Sequence, residues 1–126
     1  MAVALITVAE VDPFPATADR AGLTEGERKM VTDFLAENRE AGELIPGTGG
    51  LRKLRWAGRG KGKRGGYRVV YYFFNDSVPL YLLAVYPKNQ QIDLTPQQKA
   101  RLTALAGELK AAAKATARAR LRRVTR

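Results

Sequence analysis

Four stretches of the chain have the apolar and β-branched pattern that is typical of β-strands. They span residues 3–11, 51–57, 67–75 and 79–86. The last two are separated by Asn75-Asp76-Ser77, which is suited to a tight connection. Because consecutive strands joined by short connections tend to pair with each other, the last three stretches predict an antiparallel meander.

Apolar residues at helical spacing predict a helix over Glu25 to Asn38. Thr24 is the expected N-cap, and Glu27 three positions later completes a capping box. The apolar stripe of this helix consists of Met30, Val31, Phe34 and Leu35. Upstream, Asp12-Pro13-Phe14-Pro15 is expected to end the strand pattern of residues 3–11.

A second helix is expected to begin at Thr95-Pro96, since proline is well tolerated in a first helical turn. Its apolar stripe consists of Leu102, Leu105, Ala106 and Leu109. Beyond Lys110 the stripe gives way to alanine, lysine and arginine. We therefore divide the chain into a domain over residues 1–110 and a basic tail over residues 111–126. The basic tail is expected to be a solvated or frayed helix, and a binding role of its own is the alternative.

The amino-acid composition removes several classes of chemistry. A chain of 126 residues fits one domain. Cysteine and histidine are absent, which excludes disulfides, thiolate nucleophiles and Ser-His pairs and removes the commonest metal ligands. The apolar N-terminal stretch lacks a basic leader and is too short to span a membrane. Chemistry must then use Lys, Arg, Tyr, Asp or Glu, in a protein expected to be cytoplasmic and not membrane-bound.

The charge is high and unevenly distributed. The net charge of +10 favours a polyanionic partner, because each neutralised phosphate releases counterions. Nine of the twelve acids lie before residue 44, whereas eight cations lie within residues 52–68 and seven more within residues 110–126. A generally basic protein is the alternative to a nucleic-acid partner, but the segregation of charge indicates a cationic surface.

A glycine-rich basic loop at residues 58–66 connects the second and third predicted strands. It lacks the Gly-Lys-Ser/Thr ending of a P-loop, and no helix is predicted after it, so we do not expect it to bind a nucleoside triphosphate. Its glycines allow backbone amides to approach phosphates, and its cations attract them. Its candidate RNA-binding residues are Arg59, Lys61, Lys63 and Arg64. A flexible hairpin loop kept soluble by its charge is an equally good interpretation.

Three segments together resemble HigB-type members of the RelE/ParE toxin superfamily. They are IPGTGGLRKLRW at residues 45–56, GGYRVVYY at residues 65–72 and YPKN at residues 86–89. The similarity covers roughly residues 5–110. It implies an α+β, RelE-like fold. In that fold an antiparallel sheet of three to four strands carries an N-terminal helix or helices, and a C-terminal helix lies near the active groove.

The resemblance also implies a function. RelE-type proteins are toxins of type II toxin–antitoxin systems that cleave mRNA on the ribosome, by attack of a ribose 2′-hydroxyl on the adjacent phosphate. No metal and no cofactor is expected for this reaction. The implied partners are a helix-turn-helix, HigA-like antitoxin, the ribosome with its mRNA and, through the antitoxin, operator DNA. ParE-type relatives instead poison DNA gyrase, so a gyrase poison or a basic RNA/DNA-binding module is the alternative.

The resemblance assigns four candidate catalytic cations. Arg68 matches the family arginine that stabilises the phosphorane, a task suited to a planar guanidinium fork. Lys53 and Arg55 match a pair of basic positions, and strand alternation places both on one face, away from Leu54 and Trp56.

Other roles remain open for these four cations. Lys53 is a weak candidate general base, and a salt bridge to an acid of the first helix is the alternative role of Arg55. Lys88 follows the last strand, where the family carries a cation near the scissile phosphate.

The general acid is left open by the sequence. Some RelE proteins use a tyrosine near the C-terminus, but no tyrosine follows Tyr86, and the histidine of some HigB proteins is missing. The five tyrosines and Trp56 are expected to be core or sheet-face residues rather than catalytic ones.

Overall fold

A computed structural model describes residues 6–57, 66–91 and 93–125, with side chains through residue 119. Eight helices and strands follow one another along these residues. In chain order they are β1 (Val8–Glu10), α1 (Phe14–Ala21), α2 (Glu25–Glu37), β2 (Glu43–Leu44), β3 (Leu51–Trp56), β4 (Tyr67–Tyr72), β5 (Leu80–Pro87) and α3 (Pro96–Thr125). The order of elements matches an α+β protein.

The strands form a five-stranded sheet in the order β1-β5-β4-β3-β2. The three long strands β3, β4 and β5 pair antiparallel with their chain neighbours, as the predicted meander requires. Two short strands form the edges of the sheet. The strand predicted over residues 3–11 is confirmed as β1, which pairs parallel with β5, whereas β2 was not predicted and pairs antiparallel with β3. The α+β, RelE-like class is confirmed, and its sheet is mixed because of this one parallel edge.

The helix predicted from the capping box is α2, which begins at Glu25 and ends at Glu37. The Thr24 side chain accepts from the Glu27 amide, and the Glu27 side chain accepts from the Thr24 amide. The additional helix α1 begins directly after Pro13 and contains Pro15 in its first turn. The strand β1 ends at Glu10, before these prolines, as expected. The prolines also begin a helix that was not predicted, because the amides of a first turn have no helical partners to lose.

Each face of the sheet carries its own apolar cluster. On one face, Phe14 of α1 and Leu35 of α2 pack with Leu54 of β3 and other buried residues. On the opposite face, Leu102 and Ala106 of α3 pack with a second set of sheet residues. This set consists of Leu51, Val70, Tyr72, Leu83, Ala84 and Tyr86. The molecule thus has three layers, with α1 and α2 on one side of the sheet and α3 on the other.

The α3 helix begins at Pro96, as predicted, and extends through Thr125. Among its residues 96–119, whose side chains are described, the buried positions are Leu102 and Ala106, which face the sheet. Within the described residues, no helix is long and apolar enough to cross a membrane.

Candidate active site

Three of the four candidate catalytic cations lie on the sheet face that α3 covers. Along β3, Lys53 and Arg55 alternate with Leu54, which is buried in the opposite cluster. Leu51, on the same face as the two cations, packs in the α3-side cluster. Arg68 of β4 lies directly opposite Arg55 in the antiparallel register and therefore shares its face. The alternation predicted for β3 is confirmed.

The register creates a row of side chains across three strands, Arg55, Arg68 and Tyr86, which we call the arginine row. Arg55 pairs with Arg68, and Arg68 pairs with Tyr86 of β5. Directly opposed residues of antiparallel strands have Cβ atoms about 5 Å apart, and like charges at that spacing repel each other. Two opposed arginines therefore favour an anion between them, and a phosphate suits their guanidinium groups.

The alternative role of Arg55, a salt bridge to an acid of the first predicted helix, does not fit its position. That helix is α2, and it packs on the other face of the sheet through Val31 and Leu35. Arg55 is exposed, and within the described part of the chain no ion pair joins it to an acid.

Lys53 is held by an acid that the sequence did not single out. Its Nζ donates to Oδ1 of Asp93 over 2.8 Å. This bond, together with the charge of Lys53, lowers the pKa of Asp93 below its ordinary value of 3.8, and the charges of Arg68 and Lys99 add to the effect. Asp93 therefore sits within the electrostatic reach of three cations, which mark a position where negative charge is stabilised.

The segment that carries Asp93 is fixed by hydrogen bonds at the start of α3. Gln98 Oε1 accepts from the Thr95 amide over 2.9 Å, and the Gln98 amide donates to Thr95 Oγ1 over 3.1 Å, which is the capping-box arrangement. Gln91 Nε2 donates to the Asp93 carbonyl and to Gln98 Oε1. The N-terminal turn of α3 is thereby tied to the carboxylate that meets Lys53.

Tyr86 ends the arginine row with a buried hydroxyl. The residue is 7% exposed, and its hydroxyl oxygen has no hydrogen-bond partner within the described residues. Burial raises the pKa of this phenol above its ordinary value of 10.0, the Asp93 charge raises it further, and the Arg68 charge lowers it. A buried hydroxyl without a partner costs free energy, and this one lies beside the cations of the site.

The remaining candidate residues are Lys88 and the four loop cations. Lys88 directly follows β5, where its amide donates to the Gly66 carbonyl over 3.1 Å, and its side chain is exposed. It lies at the same end of the sheet as Arg55 and Arg68. The candidate RNA-binding residues of the loop lie outside the described residues. They are Arg59, Lys61, Lys63 and Arg64.

A cavity of about 370 Å³ opens beside Lys53, between β2 and the start of α3; we call it the β2–α3 cavity. Its apolar wall is formed by Leu44, Ile45, Pro46 and Leu94. Its charged lining residues are two acids, Glu43 and Asp93, and two lysines, Lys53 and Lys99, and Tyr86 lines it as well. The volume lies within the range of small-molecule sites in proteins.

A larger cavity of about 780 Å³ lies between the end of α2 and the residues after β4. Its charged groups include Arg39 and Asp76, which form an ion pair with each other, and the acids Glu37 and Glu40. It lacks the excess of cations that surrounds Asp93.

Within the described ranges, no group of three or more acidic side chains converges as a metal site.

Four residues of the site were missed by the sequence analysis: Tyr86 as a site residue, Asp93, Leu94 and Lys99. One signal for Asp93 was available, since it is the only acid between Asp76 and Glu108, in a part of the chain dominated by cations. No comparable signal existed for Lys99, which reaches the site only because α3 begins beside β3. The unpaired state of Tyr86 is a property of packing and leaves no trace in the sequence.

The protein is thus a small basic α+β protein of three layers, with two opposed arginines on the sheet face that α3 covers. A comparison with protein families matches residues 36–124 to the family described as the RelE toxin of the RelE / RelB toxin-antitoxin system. The match covers most of the chain and extends from the end of α2 through α3. The chain therefore belongs to the RelE toxin family and is a toxin of a toxin–antitoxin system, whose partner is a cognate antitoxin.

Proposed function

We propose that this toxin is a ribosome-dependent mRNA endonuclease that acts in the cytoplasm and stops translation by cutting the message. The observation that carries the proposal is the arginine row, in which two opposed arginines adjoin a buried tyrosine hydroxyl that has no partner among the described residues. This combination supplies an anion site and a proton donor next to each other. Both are needed to break a phosphodiester bond.

The proposed reaction is an attack of the ribose 2′-hydroxyl on the adjacent phosphate. The bond from the 2′-oxygen to phosphorus forms, and the bond from phosphorus to the 5′-oxygen of the next nucleotide breaks. The products are a 2′,3′-cyclic phosphate and a free 5′-hydroxyl. The 2′-hydroxyl proton passes to water, and the departing 5′-oxygen takes a proton from an acid. Arg68, with Arg55 opposite it, stabilises the additional negative charge on the phosphorane.

Tyr86 is the proposed general acid. The phenol is protonated at neutral pH, but burial raises its pKa above 10.0 and makes it a weaker acid, an effect that the charge of Arg68 opposes by lowering this pKa. The Asp93 charge also raises this pKa, so neutralisation of Asp93 should make Tyr86 a stronger acid. Water returns the proton to the phenolate after cleavage.

Lys53 acts in this proposal as a phosphate-binding cation and not as a general base. Its Nζ donates to the Asp93 carboxylate over 2.8 Å, which is the behaviour of an ammonium group. The same donor can pass to a phosphate oxygen when RNA enters the site. Lys88, at the same end of the sheet, is proposed to contact a flanking phosphate.

The test is cleavage of ribosome-bound mRNA by the wild type, Arg68→Ala, Arg68→Lys and Tyr86→Phe. We expect Arg68→Ala and Tyr86→Phe each to lower the single-turnover rate about 100-fold or more. Arg68→Lys keeps the charge but loses the fork, so it restores only part of the rate. Arg20→Ala is the matched control, because Arg20 is an exposed arginine on α1, on the other face of the sheet.

Two outcomes would overturn the assignment. Near wild-type cleavage by Arg68→Ala would remove it from the catalytic machinery. Growth arrest on induction of the wild type with intact mRNA would overturn the ribonuclease itself, and gyrase poisoning or RNA/DNA binding would take its place. A DNA-damage response would then identify gyrase as the target.

The antitoxin is proposed to be a helix-turn-helix, HigA-like protein with an acidic contact surface, through which the pair binds operator DNA. The support is charge complementarity, since fifteen of the 22 cations lie within residues 52–68 and 110–126. Recovery of the toxin from its native host, followed by identification of bound protein, is the test. A toxin recovered without a small acidic partner would contradict the proposal.

A further inference from the structure

We propose that Glu43 and Asp93 restrain Lys53 in the free toxin. The two carboxylates engage the lysine ammonium within the protein, so that a phosphate must compete with them before it can bind Lys53. The proposal rests on the proposed ribonuclease function, in which Lys53 binds phosphate, and gives the two acids an opposing part in it. Removal of either acid should therefore strengthen anion binding.

The contact between Lys53 and Asp93 is the first support. Lys53 Nζ donates to Asp93 Oδ1 over 2.8 Å. The lysine side chain is 24% exposed, whereas the aspartate side chain is 68% exposed. Because the carboxylate is the more exposed partner, it lies on the solvent side of the pair. An anion that approaches Lys53 from solvent therefore meets the negative charge of Asp93.

Glu43 supplies a second carboxylate from the edge of the sheet. It lies directly opposite Lys53 in the antiparallel register of β2 and β3, so the two side chains share one face. Directly opposed residues have Cβ atoms about 5 Å apart, and opposite charges at that spacing attract each other. Lys53 therefore lies between an acid of the neighbouring strand and Asp93, which precedes α3.

The β2–α3 cavity is balanced in charge as a result. Its charged lining residues are two of each sign, Glu43, Asp93, Lys53 and Lys99. The adjacent arginine row is different, since two arginines oppose each other there. Arg68 of that row and Lys99 also act on Asp93 and, together with Lys53, lower its pKa. The Asp93 carboxylate thus offsets positive charge that would otherwise act on a phosphate.

Asp93 is held beside Lys53 by the capping turn of α3. Gln91 Nε2 donates to the Asp93 carbonyl over 2.9 Å and to Gln98 Oε1 over 3.0 Å. Gln98 Oε1 also accepts from the Thr95 amide. The backbone of Asp93 is therefore fixed to the start of α3, which keeps its carboxylate within reach of Lys53 when no phosphate is bound.

The test measures binding of the isolated toxin to a 2′-O-methyl RNA trinucleotide, whose methylated 2′-oxygens cannot attack the phosphate. Asp93→Asn keeps the shape of the side chain and removes its charge. We expect it to bind the probe about two- to fivefold more tightly, which is the range of an exposed ion pair. Glu43→Gln should tighten binding about twofold.

Asp33→Asn is the matched control for Asp93→Asn. Asp33 pairs with Lys29 over 2.9 Å on α2, and both side chains are exposed. Because α2 packs on the other face of the sheet, this change adds the same net charge and breaks the same kind of pair away from Lys53. It should therefore tighten probe binding less than Asp93→Asn does.

A double-mutant cycle tests whether Asp93 acts through Lys53. In a Lys53→Met background, Asp93→Asn should lose most of its effect on affinity, because the restrained ammonium is gone. The gain should also shrink as the salt concentration rises, since exposed charges are screened. A purely structural role of Asp93 predicts the reverse, with weaker binding and lower stability in denaturant unfolding.

Unchanged or weaker probe binding by Asp93→Asn would overturn the restraint, even if the wild type cleaves mRNA on the ribosome. An equal gain from Asp33→Asn, or an equal gain in the Lys53→Met background, would overturn it as well. Tighter binding that requires Lys53, in a protein that leaves ribosome-bound mRNA intact, would instead support the restraint and contradict the ribonuclease.

Discussion

Arg52 and Lys53 are neighbours on β3, but their side chains lie on opposite faces of the sheet and bind different partners. Arg52 Nη1 donates to the Gly42 carbonyl over 2.7 Å and to the Glu40 carbonyl over 3.1 Å, so it fastens the chain that leads into β2. Lys53 reaches the opposite face, where its partner among the described residues is the exposed Asp93. Because successive side chains of a strand point to opposite faces, Arg52 stabilises the structure on one face and Lys53 lies in the candidate site on the other.

The pairing of Lys53 with Asp93 predicts a measurable pH dependence. Because the folded-state pKa of Asp93 is lowered, the ion pair is fully present above the ordinary value of 3.8 and is lost as the pH falls through the lower folded-state value. In Lys53→Met the Asp93 pKa should rise back towards 3.8, which NMR titration of the carboxyl carbon can follow. Lys29→Met serves as the control and should leave Asp93 unchanged. Identical titration of Asp93 in all three proteins would contradict the pairing.

The buried tyrosines Tyr71 and Tyr86 offer a matched pair of substitutions. The Tyr71 hydroxyl accepts from the Gly42 amide over 2.8 Å and donates to the Arg39 carbonyl over 2.9 Å. Tyr71→Phe leaves that buried amide unpaired and should lower the free energy of unfolding by about 1–3 kcal/mol. Tyr86→Phe removes a hydroxyl that has no partner among the described residues, so its stability should change little. Denaturant unfolding of both variants measures the contrast, and an equal fall in stability for the two would refute it.

At the scale of elements, the sequence predicts those whose own residues carry the signal. The capping box and apolar stripe place α2 within one residue, and Thr95-Pro96 places the start of α3. The elements missed depend on contacts between distant segments. The edge strand β2 has only two residues, and it is held beside β3 where Gly42 packs against Tyr71; a Cβ on Gly42 would lie 2.8 Å from that ring.

The α2 capping box predicts a stability change that should not reach the site. Thr24→Ala removes the acceptor of the Glu27 amide and should cost about 1 kcal/mol, or a fall of about 4 °C in the unfolding midpoint. Thr24→Ser keeps the acceptor and is the control. Because α2 packs on the face opposite the arginine row, RNA cleavage below the midpoint should be unchanged. A loss of activity in the folded variant would show that α2 is coupled to the site.

At the scale of the molecule, the site could be predicted only in part. The shared face of Lys53 and Arg55 follows from alternation within one strand, whereas the pairing of Arg55 with Arg68 depends on a register that the sequence of the intervening loop does not specify. Asp93 and Lys99 enter the site because α3 packs across the sheet, which is a tertiary contact with no local signal. The site residues that the sequence did not predict are therefore those at the start of α3, a segment distant in sequence from β3 and β4.

The charge of the whole molecule predicts the effect of removing the basic tail. A variant that ends at Lys110 loses six of the 22 cations and no acid. It keeps Leu102 and Ala106 in the core and Lys110 over the Phe74 ring, 5.3 Å from its centroid. Residues 111–118 are mostly exposed, so the unfolding midpoint should change little.

RNA binding by the same variant should depend less steeply on salt. The slope of log affinity against log salt concentration should become shallower by about 0.7 for each phosphate of a single strand that the shortened protein no longer neutralises. A full-length variant with Lys114→Gln and Arg118→Gln is the control, since it lowers the charge without shortening α3, and its slope should fall between the other two. Anisotropy titrations at several salt concentrations, with thermal unfolding in parallel, measure both quantities. An unchanged slope would show that the basic tail does not bind RNA, and a large fall in the midpoint would show that it stabilises the core instead.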